Sequence, residues 1–283
     1  MTVSAAIRDA AQQLAHGSDT ARLDAEVLMA HALGVSRSDL LVRHMRDDPP
    51  PGFAALIERR LHHEPVAYIT GTQEFFGLPF AVSPAVLIPR GDSEVLVERA
   101  LAAGAAARRV LDCGTGSGAL LLAVLANLPG AEGVGIDSST SALDVAQANA
   151  AALQLAGRCK LFHADWHQSG WADGLGQFDL ILANPPYVED SAELDASVRS
   201  FEPGSALFAG PEGLDDYHVL VPQLRELLAP GGAALVEIGH RQAAAVGAMG
   251  RVAGLAATLH HDLAGRPRVL EFKNPLGKPP TKA

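Results

Sequence analysis

The segment Asn184-Pro185-Pro186-Tyr187 carries the most legible chemistry in this chain. A planar NH2 group offers two hydrogens, and the Asn184 side-chain oxygen and the Pro185 carbonyl can accept one each. The two prolines restrict the local φ angles and hold that carbonyl in place. Tyr187 adds a flat face for an amide or a base. This arrangement suits alkylation of a weak nitrogen nucleophile. An amide lone pair is delocalised into its carbonyl, so orientation and electron density matter more than a strong base. The proton can leave after the new bond forms, when the nitrogen is cationic. A plain proline-rich turn after a strand is the alternative, and two prolines directly after Asn make it the weaker one.

A second motif points to what is transferred. Gly114-Thr115-Gly116-Ser117-Gly118 follows an apolar strand and opens a helix. Glycines let the backbone turn tightly and approach a ligand closely. Asp137, about 20 residues further on, ends the next strand, where a carboxylate can accept both hydroxyls of a ribose. Asp165-Trp166 ends the strand after that. An acid there can accept from an adenine amino group, and an indole can pack on the ring. Dinucleotide folds use G-x-G-x-x-G with a pyrophosphate at the helix N-terminus. This chain has G-x-G-x-G preceded by Asp112. S-adenosylmethionine (SAM) has no phosphate but carries an amine and a sulfonium, so an acid beside the loop favours it over NAD. The product would be S-adenosylhomocysteine (SAH). Asn184 is expected to touch the cofactor as well as the substrate.

The elements that must position these residues alternate. Strands are expected over 109–112, 133–137, 160–165, 178–183 and 233–238, and helices over 94–103, 119–128, 141–155, 214–228 and 241–252. Residues 255–260 and 268–272 complete the set as a final strand pair. Such alternation means a parallel sheet covered by helices, with ligands at the carboxyl ends of the strands. The motifs all fall at such ends. Residues 1–65 show helical spacing with no catalytic cluster. Residues 66–90 are aromatic and β-branched with glycine turns, which predicts a hairpin that includes residues 66–71.

Composition narrows the function classes. The chain has 283 residues, enough for one large and one small domain, and a formal net charge of −10. An acidic balance with scattered basic residues argues against direct nucleic-acid binding. No apolar run approaches the roughly 20 residues that span a bilayer. The N-terminus has no signal-peptide pattern, and the only two cysteines, Cys113 and Cys159, suggest a reducing compartment, so a cytoplasmic location without membrane contact is expected. His163 and His167 sit four apart, but a metal needs three or four convergent ligands, so no metal is expected. Cys113 reads as a small buried residue. Glu202 in Phe201-Glu202-Pro203 can orient the Asn184 turn or simply cap a turn.

These residues closely resemble the HemK/PrmC family, SAM-dependent methyltransferases that modify the glutamine of the Gly-Gly-Gln loop in peptide chain release factors. The likeness covers nearly the whole chain. It includes His63-Glu64-Pro65-Val66-Ala67-Tyr68-Ile69-Thr70-Gly71, Glu74-Phe75-Phe76-Gly77-Leu78, Leu87-Ile88-Pro89-Arg90, the glycine loop from Asp112, Asp165-Trp166, Asn184-Pro185-Pro186-Tyr187 and Phe201-Glu202-Pro203. The resemblance implies an α/β fold: a Rossmann-like, seven-stranded, mostly parallel sheet with a small N-terminal helical bundle and a linking β-hairpin. It implies a substrate-binding domain at 1–71, the hairpin at 72–92, the methyltransferase domain at 93–274 and a loose tail at 275–283. Residues 114–118, Asp137, Asp165 and Trp166 would contact SAM. Residues 184–187 would hold the glutamine, with Phe75 and Arg90 nearby. Class I release factors are the implied partners, in translation termination, and a monomer is expected. One departure stands out: the family pattern has proline after Ile-Pro-Arg, and this chain has Gly91, which leaves the loop carrying Arg90 less rigid. Alternatives are a ribosomal-protein glutamine as substrate, an exocyclic amine of a nucleic acid, which the same jaw suits, a non-catalytic SAM-binding module, and, more distantly, an NAD dehydrogenase.

Overall fold

The structure is a computed structural model that describes residues 1–275. Residues 276–283, most of the expected tail, lie outside the described residues. The chain divides into two compact units, one of Met1–Thr72 with Leu194–Glu202, the other of Gln73–Glu193 with the described residues from Pro203 onward. Among the described residues no helix is long and apolar enough to cross a membrane.

The first unit is helical: α1 (Val3–Leu14), α2 (Ala21–Leu33), the single turn α3 (Arg37–Asp39), α4 (Phe53–Leu61), α5 (Val66–Thr70) and α9 (Ala196–Phe201). In α1 the buried positions Val3, Ala6, Ile7, Ala10 and Leu14 form one stripe. They pack with Leu28 and Met29 of α2 and with Phe53 and Ile57 of α4. Two acids of α2 are buried and paired. Asp24 accepts from Ser18, Thr20 and Arg60, each at 2.8 Å. Glu26 accepts from Arg22 at 2.6 Å and pairs with Arg37 at 2.7 Å. Buried carboxylates are tolerated when partnered in this way.

The hairpin expected from residue 66 begins later. Residues 66–70 form a helix, and only β1 (Thr72–Phe75) and β2 (Leu78–Ala81) pair. Val66, Tyr68 and Ile69 carry strand-like propensity, but Pro65 starts the turn and Gly71, at φ 74°, caps it in the left-handed region. Thr70 Oγ1 donates back to the Val66 carbonyl at 3.0 Å. Ala67, Tyr68 and Ile69 are all buried, and that burial overrides a weak local preference.

The second unit continues with α6 (Glu94–Ala103), β3 (Arg109–Cys113), α7 (Ala119–Asn127), β4 (Glu132–Asp137), α8 (Thr140–Ala152), β5 (Cys159–His163), β6 (Phe178–Ala183), α10 (Asp215–Leu227), β7 (Leu228–Glu237), α11 (Ala243–Val252), β8 (Ala256–His261) and β9 (Pro267–Lys273). These seven strands from β3 to β9 form one sheet in the order β5-β4-β3-β6-β7-β9-β8. Strands β3 to β7 run parallel, and β9 is antiparallel to both β7 and β8. The sheet is therefore mostly parallel, as the α/β reading expects. Alternate residues feed two cores. Val110, Leu180, Leu182 and Leu235 join one cluster, while Leu111, Ile181, Ala183 and Val236 join the other. A sheet covered on both faces has near-continuous apolar strands, which is how β3 and β6 read.

Candidate functional site

The chain steps outward from β3 through β4 to β5, then returns to place β6 on the other side of β3. Strand order reverses there, and in open α/β sheets that reversal opens a crevice at the carboxyl ends. Cys113 and Ala183 are register partners across it. The next residues are Gly114 and Asn184. Adjacent strands stand about 4.8 Å apart, so pairing alone sets the glycine loop beside the Asn-Pro-Pro-Tyr segment.

The loop after β3 is built on unusual backbone. Gly114, Gly116 and Gly118 have φ of 74°, 55° and 81°. A Cβ at Gly114 would also stand 3.1 Å from Cη2 of the Trp166 ring. The Gly114 and Thr115 N–H groups both donate to the Ile136 carbonyl, at 2.9 and 2.8 Å. The Gly116 N–H donates to Asp137 Oδ2 at 2.9 Å, and the Ser139 N–H to Oδ1 at 2.9 Å. Asp137 thus braces the loop while retaining lone pairs for a ligand. Thr115 Oγ1 donates to Asp112 Oδ2 at 2.7 Å, and Asn149 Nδ2 donates to the Ser117 carbonyl at 2.8 Å. Asp112 is buried and its Oδ1 has no partner. Burial pushes its carboxyl up to about 7, with the Asp137 charge adding to the rise. Burial also raises the Asp137 carboxyl from its ordinary value, against the hydrogen bonds from Ser139 and Gly116.

A cavity of about 500 Å³ opens on these residues. Gly114, Thr115, Gly116, Ser117, Asp137, Asp165, Trp166, Asn184 and Pro186 line it, and so do Phe75 and Arg90. Gly118, Pro185 and Tyr187 do not form its wall. Gly118 starts α7, Pro185 is buried, and Tyr187 packs partly into the second core cluster. The wall is acidic, with Asp137, Asp165 and Asp216 in it.

The segment after β6 is latched from several sides. The Tyr187 carbonyl accepts from Gln242 Nε2 at 3.0 Å, and Val188 N–H donates to the Leu207 carbonyl at 2.8 Å. Gly213, at φ 65°, lies so close to the Tyr187 carbonyl that a Cβ would overlap it. The Tyr187 hydroxyl donates to Glu237 Oε1 at 3.4 Å. Glu237 is 1% exposed, and burial pushes its carboxyl up to about 7 against hydrogen bonds from Ser93 and Tyr187 and the charge of Arg268. Burial likewise raises the Tyr187 hydroxyl well above its ordinary value.

His163 and His167 go to separate partners: His163 Nε2 to the Ser138 carbonyl at 2.9 Å, His167 Nε2 to Asp216 Oδ1 at 2.9 Å. Glu202 is buried beyond α9, where its N–H donates to the Val198 carbonyl at 3.0 Å. Asp216, Asn149, Gln242 and Glu237 are absent from the sequence reading. Each acts across at least 29 residues of chain, at Ser117, Gly213, Tyr187 or Trp166. The one available signal was a pair of acids at a helix start, Asp215-Asp216, and that reads equally well as an ordinary helix N-terminus.

Comparison with known proteins identifies the family. Residues 5–71 match the PrmC N-terminal domain model, and residues 91–207 match the methyltransferase small domain model. A release factor glutamine methyltransferase of Bradyrhizobium diazoefficiens is 41% identical over 90% of this chain and 89% of its own. One of Caulobacter vibrioides is 41% identical over 93% of each. The catalytic domain of hMettl16, solved with a MAT2A 3′UTR hairpin, shares the fold at a TM-score of 0.56 and 16% identity, over 76% of this chain and 81% of that one. With relatives this similar over nearly its whole length, the chain belongs to the release factor glutamine methyltransferase family, which is a family of SAM-dependent methyltransferases.

Proposed function

We propose that this protein transfers a methyl group from SAM to the side-chain amide nitrogen of the glutamine in the Gly-Gly-Gln loop of peptide chain release factors, in the cytoplasm. The observation that supports the reading is the Cys113–Ala183 register, which brings residues 114–118 beside residues 184–187. The names of the relatives supply the substrate class.

The residues present fit SAM. Its ammonium and sulfonium are cationic, and the cavity wall holds Asp137 and Asp165. Gly114 to Ser117 would give close backbone approach, Asp137 would receive the ribose hydroxyls, Asp165 an adenine amine, and the Trp166 indole would pack on the base; Gly118 makes the turn that starts α7. When bound, SAM supplies an electrophilic methyl on sulfur.

The chain's own residues then orient the nucleophile. Asn184 Oδ1 and the Pro185 carbonyl accept the two amide hydrogens, raising electron density on nitrogen and aiming its lone pair at the methyl carbon. With SAM bound, these two acceptors would present the nitrogen lone pair to the methyl that the sulfonium gives up, the thioether leaving with the electron pair of its former bond. The nitrogen is then cationic and loses a proton to water. Held geometry and fixed acceptors do the work, with no strong base required. Tyr187, tied to Glu237, keeps the turn in place. Phe75 and Arg90 border the amide's approach.

The test is mass spectrometry of the Gly-Gly-Gln peptide after incubation of the purified protein with SAM and a class I release factor. A gain of one methyl on the glutamine is expected. An unmodified peptide, under conditions where a known family member modifies it, would overturn the substrate assignment. Protease-resistant label on RNA or DNA would redirect it to an exocyclic amine.

A further inference from the structure

The segment between β5 and β6 carries Asp165 and Trp166 but contains no helix or strand from residue 164 to residue 177. It leaves the sheet at an edge strand, where Phe162 is 44% exposed. Its two ends are held from the sheet: the Ala164 N–H donates to the Asp137 carbonyl at 3.1 Å, and Arg109 donates to the Gln177 and Leu175 carbonyls at 2.6 and 2.7 Å. Between those ends, side chains of α10 hold it. Trp166 Nε1 donates to Asp216 Oδ1 at 2.9 Å, and Trp171 Nε1 donates to Gln223 Oε1 at 2.6 Å. Gln223 Nε2 also donates to the Trp166 carbonyl at 3.2 Å. Asp216 and Gln223 are seven residues apart, two helical turns, and so share one face of α10. The chain has two tryptophans, and both indole N–H groups are spent on this face.

Of the two anchors, Asp216 is the one at the cavity. It is 9% exposed and lies in the first turn of α10, where the helix dipole favours a carboxylate. The helix beneath it is rigid: Tyr217, Leu220, Val221 and Leu224 are fully buried, and the Tyr217 hydroxyl donates to the Glu237 carbonyl at 2.8 Å. The indole held by Asp216 lies against the backbone of Gly114. A half-buried indole N–H needs an acceptor, and a carboxylate is a stronger one than a neutral group.

We propose that Asp216 is a positioning residue for the methyl donor: by holding the Trp166 indole against Gly114, it sets the wall on which the adenine ring packs. This rests on the SAM reading of the cavity. The structure makes α10 a rail for the part of the loop between its two ends. Loss of Asp216 then weakens the cofactor's binding through Trp166, without touching the amide jaw.

The test is a double-mutant cycle on SAH binding, measured by calorimetry, with Trp171→Phe in every protein so that Trp166 is the sole indole. Asp216→Leu raises the SAH Kd about tenfold, the scale of a lost charge-assisted hydrogen bond. In a Trp166→Phe background, which keeps a ring but has no N–H, the same change moves Kd by less than about twofold. Asp216→Asn, whose amide oxygen still accepts from the indole, recovers most of the affinity, and Trp166 emission follows the same order. In turnover, KM for SAM rises while KM for the release factor stays. An equal rise in Kd with and without Trp166→Phe would overturn the proposal, since Asp216 would then act on the scaffold. Should Asp216→Leu not fold, the cycle is run with Asp216→Ala, which also removes the acceptor, and absence of coupling there is equally decisive. If the starting protein binds no SAH at all, the SAM reading itself falls, and the inference with it.

Discussion

The glycine loop after β3 and the Asp165-Trp166 loop after β5 serve one cavity but are held in opposite ways. Strand β3 has a paired neighbour on each side and is buried at four of five positions; β5 is an edge and mostly open. The β3 loop takes its place from the strand ladder and from backbone N–H groups bonded to Ile136 and Asp137. The β5 loop takes its place from side chains about 50 residues further along the chain. The difference teaches that an interior strand end can be specified locally, by turn residues, whereas an edge strand end needs an outside anchor.

The interior end should be the less forgiving. Asn184→Ala removes one of the two acceptors proposed for the amide, so kcat should fall roughly a hundredfold to a thousandfold, the usual cost of one lost electrostatic contact in an active site. SAH binding, measured by calorimetry, should change little. Equal loss of both would mean that Asn184 belongs to the cofactor wall rather than the jaw.

Burying charge is the cost of an interior position, and it has a pH signature. Burial raises the Glu237 carboxyl from 4.5 to about 7. The unfolded chain gives up this proton near its ordinary value, while the folded chain keeps it until about pH 7. Between those limits the native state binds more protons, so stability falls as pH rises, and levels off above about 7. Asp112 has the same sign. Glu237→Gln removes one contribution and leaves the other. Relative to the variant, the wild type should lose roughly 2 kcal/mol between pH 5 and 8 in urea unfolding. Parallel curves for the two proteins would show that Glu237 is ionised throughout.

What the sequence made legible follows the same divide. Gly114, Gly116 and Gly118 stand out because their positive φ favours glycine, and Asn184-Pro185-Pro186-Tyr187 stands out by its two adjacent prolines. Special backbone leaves a mark in composition. The sheet itself was legible because β3 and β6 are apolar runs between helices. Asp216 and Gln223 leave no such mark: an acid at a helix start and a glutamine within a helix are ordinary residues, and only the fold brings them to Trp166 and Trp171. The same logic explains residues 66–70, where Val66, Tyr68 and Ile69 look like strand until tertiary burial and the Gly71 cap decide for helix.

Asp137 sits between the two cases, at the end of β4, and a smaller effect is expected there. Asp137→Ala deletes the brace on Gly116 and Ser139 together with the acceptor proposed for the ribose. The SAH Kd should rise about tenfold, with kcat at saturating SAM reduced less. A large fall in kcat with an unchanged Kd would instead assign Asp137 to loop geometry alone.

The smallest effect separates the two donors that share Asp216 Oδ1. Trp166 and His167 both reach it at 2.9 Å, but the His167 side chain is 47% exposed. An exposed imidazole exchanges its bond with water at little cost, whereas the half-buried indole has no such substitute. His167→Ala should therefore leave the SAH Kd within about twofold, because Trp166 retains its acceptor and Gln223 still holds the loop from the other side. A rise matching that of Asp216→Leu would make the imidazole the anchor, and the edge loop would then be fixed by a surface ion pair rather than by its buried ring.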